Sequence, residues 1–264
     1  MRRIGFRVAF LLALTTLAAF VALFLGAGFL YSGPGRMLEL LARPAARESV
    51  LLSLGTSGVA TALAMAAAIP AAYALTRWRI PLRGAIDVLL DLPIVLPPLV
   101  AGFSLLILYS VIERAFGPGL RGGPLDLRFT REGIVLAQFA IAAPLAVRVL
   151  RASFAEVPVR LETMSRSLGR SEASTFFGVT LPLARNGILA GTILVWARSV
   201  AEFGPILVFA GAVRGKTDVV PIAIFLAFSN GEIENGVALS LLLIGLGVVA
   251  LAGIRRLGGR LVIG

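Results

Sequence analysis

Six long apolar runs dominate this chain and limit what it can fold into. They cover roughly residues 8–30, 50–75, 88–112, 133–150, 186–210 and 236–254. An α-helix needs about 20 apolar residues to cross the roughly 30 Å hydrocarbon core of a bilayer. A helix also satisfies its backbone hydrogen bonds within itself, as lipid requires. The sequence therefore predicts an all-α integral membrane protein with six transmembrane helices.

The composition supports a membrane protein without a separate soluble domain. Of the 264 residues, 58% are hydrophobic and the mean hydropathy is +0.94, whereas soluble domains are about 45–50% apolar. We therefore expect residues 1–264 to form one transmembrane domain. The chain has no Cys and no His, which excludes disulfides, zinc sites built from these residues and His-based acid–base chemistry.

The net charge of +11 is explained by membrane topology. Fifteen of the 25 basic residues fall in segments that are cytoplasmic if the N-terminus is inside. They are Arg2, Arg3, Arg7, Arg77, Arg79, Arg83, Arg148, Arg151, Arg160, Arg166, Arg170, Arg185, Arg255, Arg256 and Arg260. Basic residues in the outer segments, such as 31–48 and 113–132, are diluted by acidic ones. The positive-inside rule thus places both termini in the cytoplasm and leaves no charge excess that would indicate nucleic acid as a partner.

The first apolar run could be read as a secretory signal peptide, because Arg2, Arg3 and Arg7 precede it. The run is longer than the 7–15 residues typical of such a peptide, and its removal would spoil the parity of the charge pattern. We therefore interpret it as an uncleaved first helix.

Two further runs carry residues that are unusual in a membrane helix. Pro93, Pro97 and Pro98 prevent a straight helix in the third run, because each removes a backbone donor and crowds the preceding turn. They indicate either a packing kink or an element of a translocation pathway. In the fifth run, Arg198 and Glu202 are one turn apart. They either neutralise each other or line a polar path.

Gly187 and Gly191 form a GxxxG pattern at the start of the fifth run. Such a pattern allows two helices to approach closely. We expect this contact to lie within one chain and not at a dimer seam.

The longest polar segment, residues 151–185, lies between two runs on the predicted cytoplasmic side. Leu161, Met164 and Leu168 recur at helical spacing and predict one apolar face on a short helix. Gly169 should end this helix, and Ser171 is suited to cap a second one.

The second short helix starts with Glu172 near its positive end and carries Phe176 and Phe177 as two large apolar side chains. Pro182 marks the beginning of the next span. Apolar side chains on a short exposed helix suit insertion into a groove of a partner protein. The alternative is an interfacial helix that lies on the bilayer.

This segment resembles a motif of the permease subunits of binding-protein-dependent ABC importers. Those subunits carry Glu-Ala-Ala, three residues, Gly, nine residues, then Ile-x-Leu-Pro. Gly169, Leu181 and Pro182 match at the right spacing, and Val179 stands for the Ile. Thr163-Met164-Ser165 replaces Glu-Ala-Ala, so the motif's acidic residue is missing, although the preceding residue is acidic.

Two other stretches resemble molybdate and tungstate permeases. They are Leu92-Pro93-Ile94-Val95-Leu96-Pro97-Pro98-Leu99-Val100-Ala101-Gly102 and Arg198-Ser199-Val200-Ala201-Glu202-Phe203-Gly204. Residues 209–211 and 215–217, which follow, fit the same pattern. Sulfate permeases are similar over these regions, so sulfate stays open as an alternative substrate. The resemblance covers about residues 50–250.

The resemblance implies a type I ABC importer permease (MetI-like) in a prokaryotic plasma (inner) membrane. Its implied partners are a second permease copy in a homodimer, two ABC ATPase subunits, an extracytoplasmic oxyanion-binding protein and membrane lipid. ATP and Mg would be bound by the ATPase, with no cofactor on this chain. The implied ATPase-coupling residues are Thr163, Met164, Ser165, Leu168, Gly169, Phe176, Phe177, Leu181 and Pro182. Those of the translocation pathway or gate are Pro93, Pro97, Pro98, Arg198, Glu202, Phe203 and Gly204.

The segment from Gly211 to Thr217 superficially resembles a phosphate-binding loop. That motif needs four residues between its glycines, whereas three separate Gly211 from Gly215 here. The segment also follows a predicted membrane helix instead of a strand. We therefore expect this chain not to bind ATP.

Two other functional classes compete with the importer interpretation. A stand-alone secondary transporter would need its own coupling-ion site, for which Asp91, Arg198 and Glu202 are the candidates. A membrane enzyme would need a catalytic constellation, and the sequence offers none.

Overall fold

The computed structural model describes residues 2–116 and 126–258, and these are helical over most of their length. Part of the predicted outer loop 113–132 and the tail residue Arg260 lie outside the described residues. The helices are α1 (Arg2–Ala42), α2 (Pro44–Arg77), α3 (Arg83–Val95), α4 (Pro98–Phe116), α5 (Arg131–Ala155), α6 (Val159–Ser167), α7 (Glu172–Thr175), α8 (Leu181–Val200), α9 (Gly204–Phe209), α10 (Val220–Ser229) and α11 (Ile233–Gly258). A π-helical turn, Phe176–Thr180, joins α7 to α8.

Six helices in the described part of the chain are long and apolar enough to cross a membrane, which confirms the predicted number of spans. They are Phe6–Gly33, Pro44–Arg77, Pro98–Ala115, Arg131–Ala155, Glu172–Val200 and Ile233–Arg256. The placement of both termini in the cytoplasm stays a prediction.

The third predicted span, 88–112, was wrong in its bounds. The helix is interrupted between α3 and α4, where Leu96 is extended and Pro97 precedes the first residue of α4. Pro93 is accommodated inside α3, whereas Pro98 opens α4, a position where the missing N–H of proline costs nothing. The spanning helix is therefore α4 alone, and α3 is a separate helix.

The fifth predicted span, 186–210, was also misplaced. Helical hydrogen bonding runs through α7, the π turn and α8, so the candidate span begins at Glu172 and ends at Val200. Because α5 continues to Ala155, the segment between the two spans is shorter than the predicted loop 151–185. Glu202 lies beyond the end of α8 and not within the helix.

The bundle is held together by close contacts between helices with small residues at their interfaces. Ala60, Ala64 and Ala68 of α2 are completely buried, and α2 packs against α5. On α8, a Cβ at Gly191 would lie 2.8 Å from the Val149 Cγ1 of α5. A Cβ at Gly187 would likewise approach Ser153 of α5. The GxxxG pattern therefore makes a contact within the chain, as predicted.

The N-terminal helix α1 stands at the periphery of the bundle. Its apolar stretch Phe6–Gly33 has no buried residue in its most hydrophobic window. Helix α1 lies against α11, where a Cβ at Gly28 would be 2.9 Å from Leu241 Cδ2. Gly33, with φ of 69°, kinks the helix where its apolar stretch ends.

Candidate functional site

The short helix α6 has an arrangement opposite to that of a helix in a soluble protein. Its buried side chains are polar, namely Glu162 and Ser165. The predicted apolar face is exposed: Leu161 by 40%, Met164 by 53% and Leu168 by 85%. Exposed apolar clusters of this kind mark surfaces that another molecule covers. In the following, "the apolar face of α6" refers to Leu161, Met164 and Leu168.

The carboxylate of Glu162 is the polar anchor of α6. Glu162 is 2% exposed and forms an ion pair with Arg77, at 3.0 Å between Arg77 Nε and Glu162 Oε1. The hydroxyl of Thr180 donates a hydrogen bond of 2.8 Å to the same carboxylate oxygen. Buried charges are stable only when they are paired and hydrogen-bonded, and Glu162 meets both conditions.

The turn between α6 and α7 has the structure that the sequence predicts. Gly169 has φ of 84°, a left-handed conformation that glycine adopts without steric cost. Ser171 caps α7 by accepting a 3.2 Å hydrogen bond from the Ser174 backbone N–H. The hydroxyls of Ser165 and Thr175 share a buried 3.0 Å hydrogen bond that holds the two short helices together.

The sequence suggested that Phe176 and Phe177 are both exposed. The structure shows that only one of them is. Phe177 is 67% exposed, but Phe176 packs into the core, with its ring 4.7 Å from that of Tyr73 and 6.2 Å from that of Phe154. The π turn adds one residue to the helix here and so rotates neighbouring side chains relative to a regular helix. Of these two side chains, only Phe177 adds to the exposed apolar surface of this segment.

The other predicted coupling residues lie in this same region. Thr163 is exposed, and its hydroxyl donates to the Val159 backbone carbonyl at 3.1 Å. Leu181 is half-buried at the beginning of α8, and Pro182 is exposed next to it. Their role in coupling stays a prediction.

The predicted ion pair between Arg198 and Glu202 is present, with 2.7 Å between Arg198 Nη1 and Glu202 Oε2. The two side chains differ strongly in burial: that of Glu202 is 2% exposed, whereas that of Arg198 is 40% exposed. Gln138 of α5 donates a 3.0 Å hydrogen bond to the Ser199 carbonyl in the last turn of α8. This buried hydrogen bond connects the end of α8 to α5.

The two proline- and glycine-containing segments that the sequence singled out lie against each other. A Cβ at Gly204 would be only 2.6 Å from Pro98 Cβ and 2.7 Å from the Pro98 carbonyl carbon. Reciprocally, a Cβ at Gly102 would be 3.0 Å from Pro205 Cα and 2.9 Å from Val208 Cβ. Helices α4 and α9 therefore interlock through their glycines, with no room for a larger residue on either side.

The remaining pathway candidates flank this contact. Pro97 is exposed in the break before α4, and Pro93 is half-buried within α3. Phe203, just before α9, packs against Phe225 of α10, with 5.5 Å between ring centroids.

Asp91 does not join Arg198 and Glu202 in one site. The Asp91 carboxylate lies 3.8 Å from the guanidinium of Arg148, near the end of α5. Gln138, which contacts the end of α8, precedes Arg148 by ten residues of the same helix, or about 15 Å along its axis. The three candidates for a coupling-ion site are therefore not assembled in this structure.

In the segment from Gly211 to Thr217, the hydroxyl that a phosphate-binding loop would use is bonded within the segment. The Thr217 hydroxyl accepts a 3.0 Å hydrogen bond from the Val213 N–H and donates to the Gly211 carbonyl. Thr217 is fully buried. Among the described residues, no group of three or more Asp or Glu side chains is close enough to hold a metal ion.

Replacing Arg198 by Gln should destabilise the protein. The Glu202 carboxylate would remain buried without its counter-charge, and breaking a fully buried pair costs about 3–5 kcal/mol. Because Arg198 is 40% exposed, we expect a smaller loss of about 2 kcal/mol. The measurement is thermal unfolding in detergent. The double variant R198Q/E202Q should recover most of the loss, and an R198Q protein as stable as the parent would show that the ion pair is unimportant.

Six candidate spans, the interlocked helices α4 and α9 and an exposed apolar short helix are features expected of a multi-pass membrane protein of the transport class. The chain belongs to the family described as the binding-protein-dependent transport system inner membrane component, whose model matches residues 58–262. The protein is therefore a multi-pass protein of the inner membrane.

Several curated relatives are similar over most of the chain. The molybdenum transport system permease protein ModB of Escherichia coli (strain K12) is 36% identical over 207 residues, which cover 77% of this chain and 90% of the relative. The corresponding protein of Mycobacterium tuberculosis is 33% identical over 229 residues, or 87% and 85% of the two chains. The molybdate/tungstate transport system permease protein WtpB of Thermococcus kodakarensis is 32% identical over 198 residues, or 74% of each.

Proposed function

We propose that this chain is the membrane-spanning subunit of an ATP-driven importer for a tetrahedral oxyanion, with molybdate or tungstate as the substrate. In the complete importer, two copies of the chain would work with two ATPase subunits and an extracytoplasmic binding protein. The names of the relatives support this substrate, because the permeases of Escherichia coli and Thermococcus kodakarensis are called molybdenum and molybdate/tungstate permeases.

One structural observation carries the proposal, namely the outward apolar face of α6. Its three side chains are exposed, and so are Phe177 and the basic residues Arg160 and Arg166 of the same segment. A short helix with apolar anchors is suited to a groove of a partner protein. A permease driven by a separate ATPase requires such a surface, whereas in a stand-alone transporter the same side chains would only lie on the bilayer.

ATP and Mg would be bound by the partner, and this chain would contribute only the helix that follows the partner's movement. Thr217, whose hydroxyl a phosphate-binding loop would turn to Mg, is instead buried and bonded to the backbone of its own segment. The chain would therefore be a transport subunit and not an enzyme.

Transport would proceed by alternating access, with the interlocked segments of α4 and α9 acting as the gate. A tetrahedral dianion is strongly attracted by an isolated guanidinium in a medium of low dielectric constant. Pairing of Arg198 with Glu202 weakens that attraction. The substrate can then pass this point and be released on the other side.

The test uses the complex of permease and ATPase in proteoliposomes with its binding protein. ATP hydrolysis is measured after loading the binding protein with molybdate, tungstate or sulfate. Stimulation by molybdate and tungstate is the expected result. Stimulation by sulfate alone would assign the chain to sulfate, and a response to none of the three would contradict the proposed substrate class.

A further inference from the structure

A single guanidinium group holds the inner side of α6. Arg77, the last residue of α2, forms hydrogen bonds from Nε to both carboxylate oxygens of Glu162, at 3.0 and 3.1 Å. Its Nη2 donates to the backbone carbonyl of Phe154 in the last turn of α5, at 2.9 Å, and to that of Val157 just beyond the helix, at 2.7 Å. The positive-inside pattern explains why a basic residue stands here. It does not explain why the Arg77 side chain is only 9% exposed.

These contacts connect four parts of the chain at one point. Arg77 belongs to α2, the two carbonyls to the last turn of α5 and the residues just after it, and Glu162 to α6. Thr180, which also binds Glu162, immediately precedes the first residue of α8. The neighbouring Trp78 adds a second link, because its indole N–H donates a 2.7 Å hydrogen bond to Glu172 of α7.

The attachment of α6 depends on these polar contacts. Its apolar face is directed outward, and the side chains that it buries in the protein are Glu162 and Ser165. Hydrogen bonds of charged groups are directional, and a guanidinium with four acceptors fixes its neighbours in one relative position. Apolar packing alone would leave α6 free to slide against the bundle.

We propose that Arg77 is a positioning residue that transmits the movement of α6 to the spanning helices α2, α5 and α8 through its buried contacts with Glu162 and the end of α5. The inference rests on the proposed function, in which the ATPase moves α6. Without the guanidinium, α6 could still bind the ATPase through its apolar face, but its displacement would no longer reach the gate.

The test measures ATP hydrolysis by the purified complex with and without the molybdate-loaded binding protein. Arg77→Gln should leave the ATPase bound and hydrolysing, while the ratio of stimulated to basal rate falls to about 1, the value for uncoupled sites. Arg77→Lys, which keeps the charge with fewer donors, should give an intermediate ratio. Arg79→Gln is the matched control, because it removes the same charge at an exposed position two residues away, and it should keep the parental ratio.

A double variant separates transmission from mere stability. Replacing both Arg77 and Glu162 by Met removes the buried pair together, which generally preserves or improves folding. The proposal predicts a stable complex that remains uncoupled. A double variant with parental coupling, or an Arg77→Gln complex with parental coupling, would overturn it.

Failure of the proposed function would look different. In that case the parental chain itself would bind no ATPase or would show no stimulation by any loaded binding protein. The inference about Arg77 fails if the binding protein stimulates ATP hydrolysis in the parental complex and stimulates it equally in the Arg77 variants.

Discussion

Replacing Leu168 by Asp should prevent the ATPase subunit from binding. Leu168 is 85% exposed at the end of α6, so the substitution should have little effect on folding. A carboxylate in the centre of a partner's apolar groove should cost about 2–4 kcal/mol, the range for a central residue of an interface, or roughly 30- to 700-fold in affinity. The measurement is the amount of ATPase that co-purifies with the tagged permease.

Leu82→Asp is the matched control for this experiment. Leu82 is 81% exposed in the turn between α2 and α3, near the same end of the bundle, and its positive φ of 55° is easily adopted by Asp. This variant should retain the ATPase. If Leu168→Asp retains it equally well, the apolar face of α6 is not the docking surface. Phe176 would be a poor choice for such a test, because its ring is part of the core.

Replacing Gly204 by Val should have the second-largest effect, through the contact between α4 and α9 that we propose as the gate. The new side chain would collide with the backbone of Pro98, which cannot move aside as the end of a flexible side chain can. Overpacking of this kind costs about 1–3 kcal/mol. Because the cost falls on the state in which α4 and α9 are in contact, transport should drop by about tenfold or more. The measurement is molybdate uptake into proteoliposomes at matched amounts of complex.

Gly58→Val serves as the control for this prediction. Gly58 also lies within the matched family region, as its first residue, but a Cβ there would meet nothing within 4 Å. Uptake by this variant should be close to that of the parent. Normal uptake by Gly204→Val would mean that the contact between α4 and α9 is not part of the transport cycle.

The sequence was sufficient for those features that depend on local pattern. Hydropathy predicted six spans, and the Gly169 and Ser171 positions predicted the end of α6 and the cap of α7. The bounds of two spans were missed, because apolar composition does not show where helical hydrogen bonding stops. The prolines of the third run indicated a bent helix, but not that the chain would leave the helical conformation at Leu96 and Pro97.

Features that depend on tertiary contacts could not be predicted in the same way. Phe176 and Phe177 are adjacent and chemically identical, and only the register of the π turn decides which of them is buried. Arg77 and Glu162 are separated by 85 residues, so no local pattern relates them. One available signal was the acidic Glu162 on α6 next to its apolar face, since a carboxylate that becomes buried requires a charged or hydrogen-bonding partner.

The most direct test of the central claim is to purify the tagged chain gently from its native host and to measure ATP hydrolysis and transport by what comes with it. The proposed function predicts an accompanying ATPase subunit, and molybdate uptake into vesicles that requires ATP and the binding protein. A chain that is purified alone and still transports the anion into vesicles without ATP would contradict it. The pair of Arg198 and Glu202 would then return as the candidate coupling site of a secondary transporter.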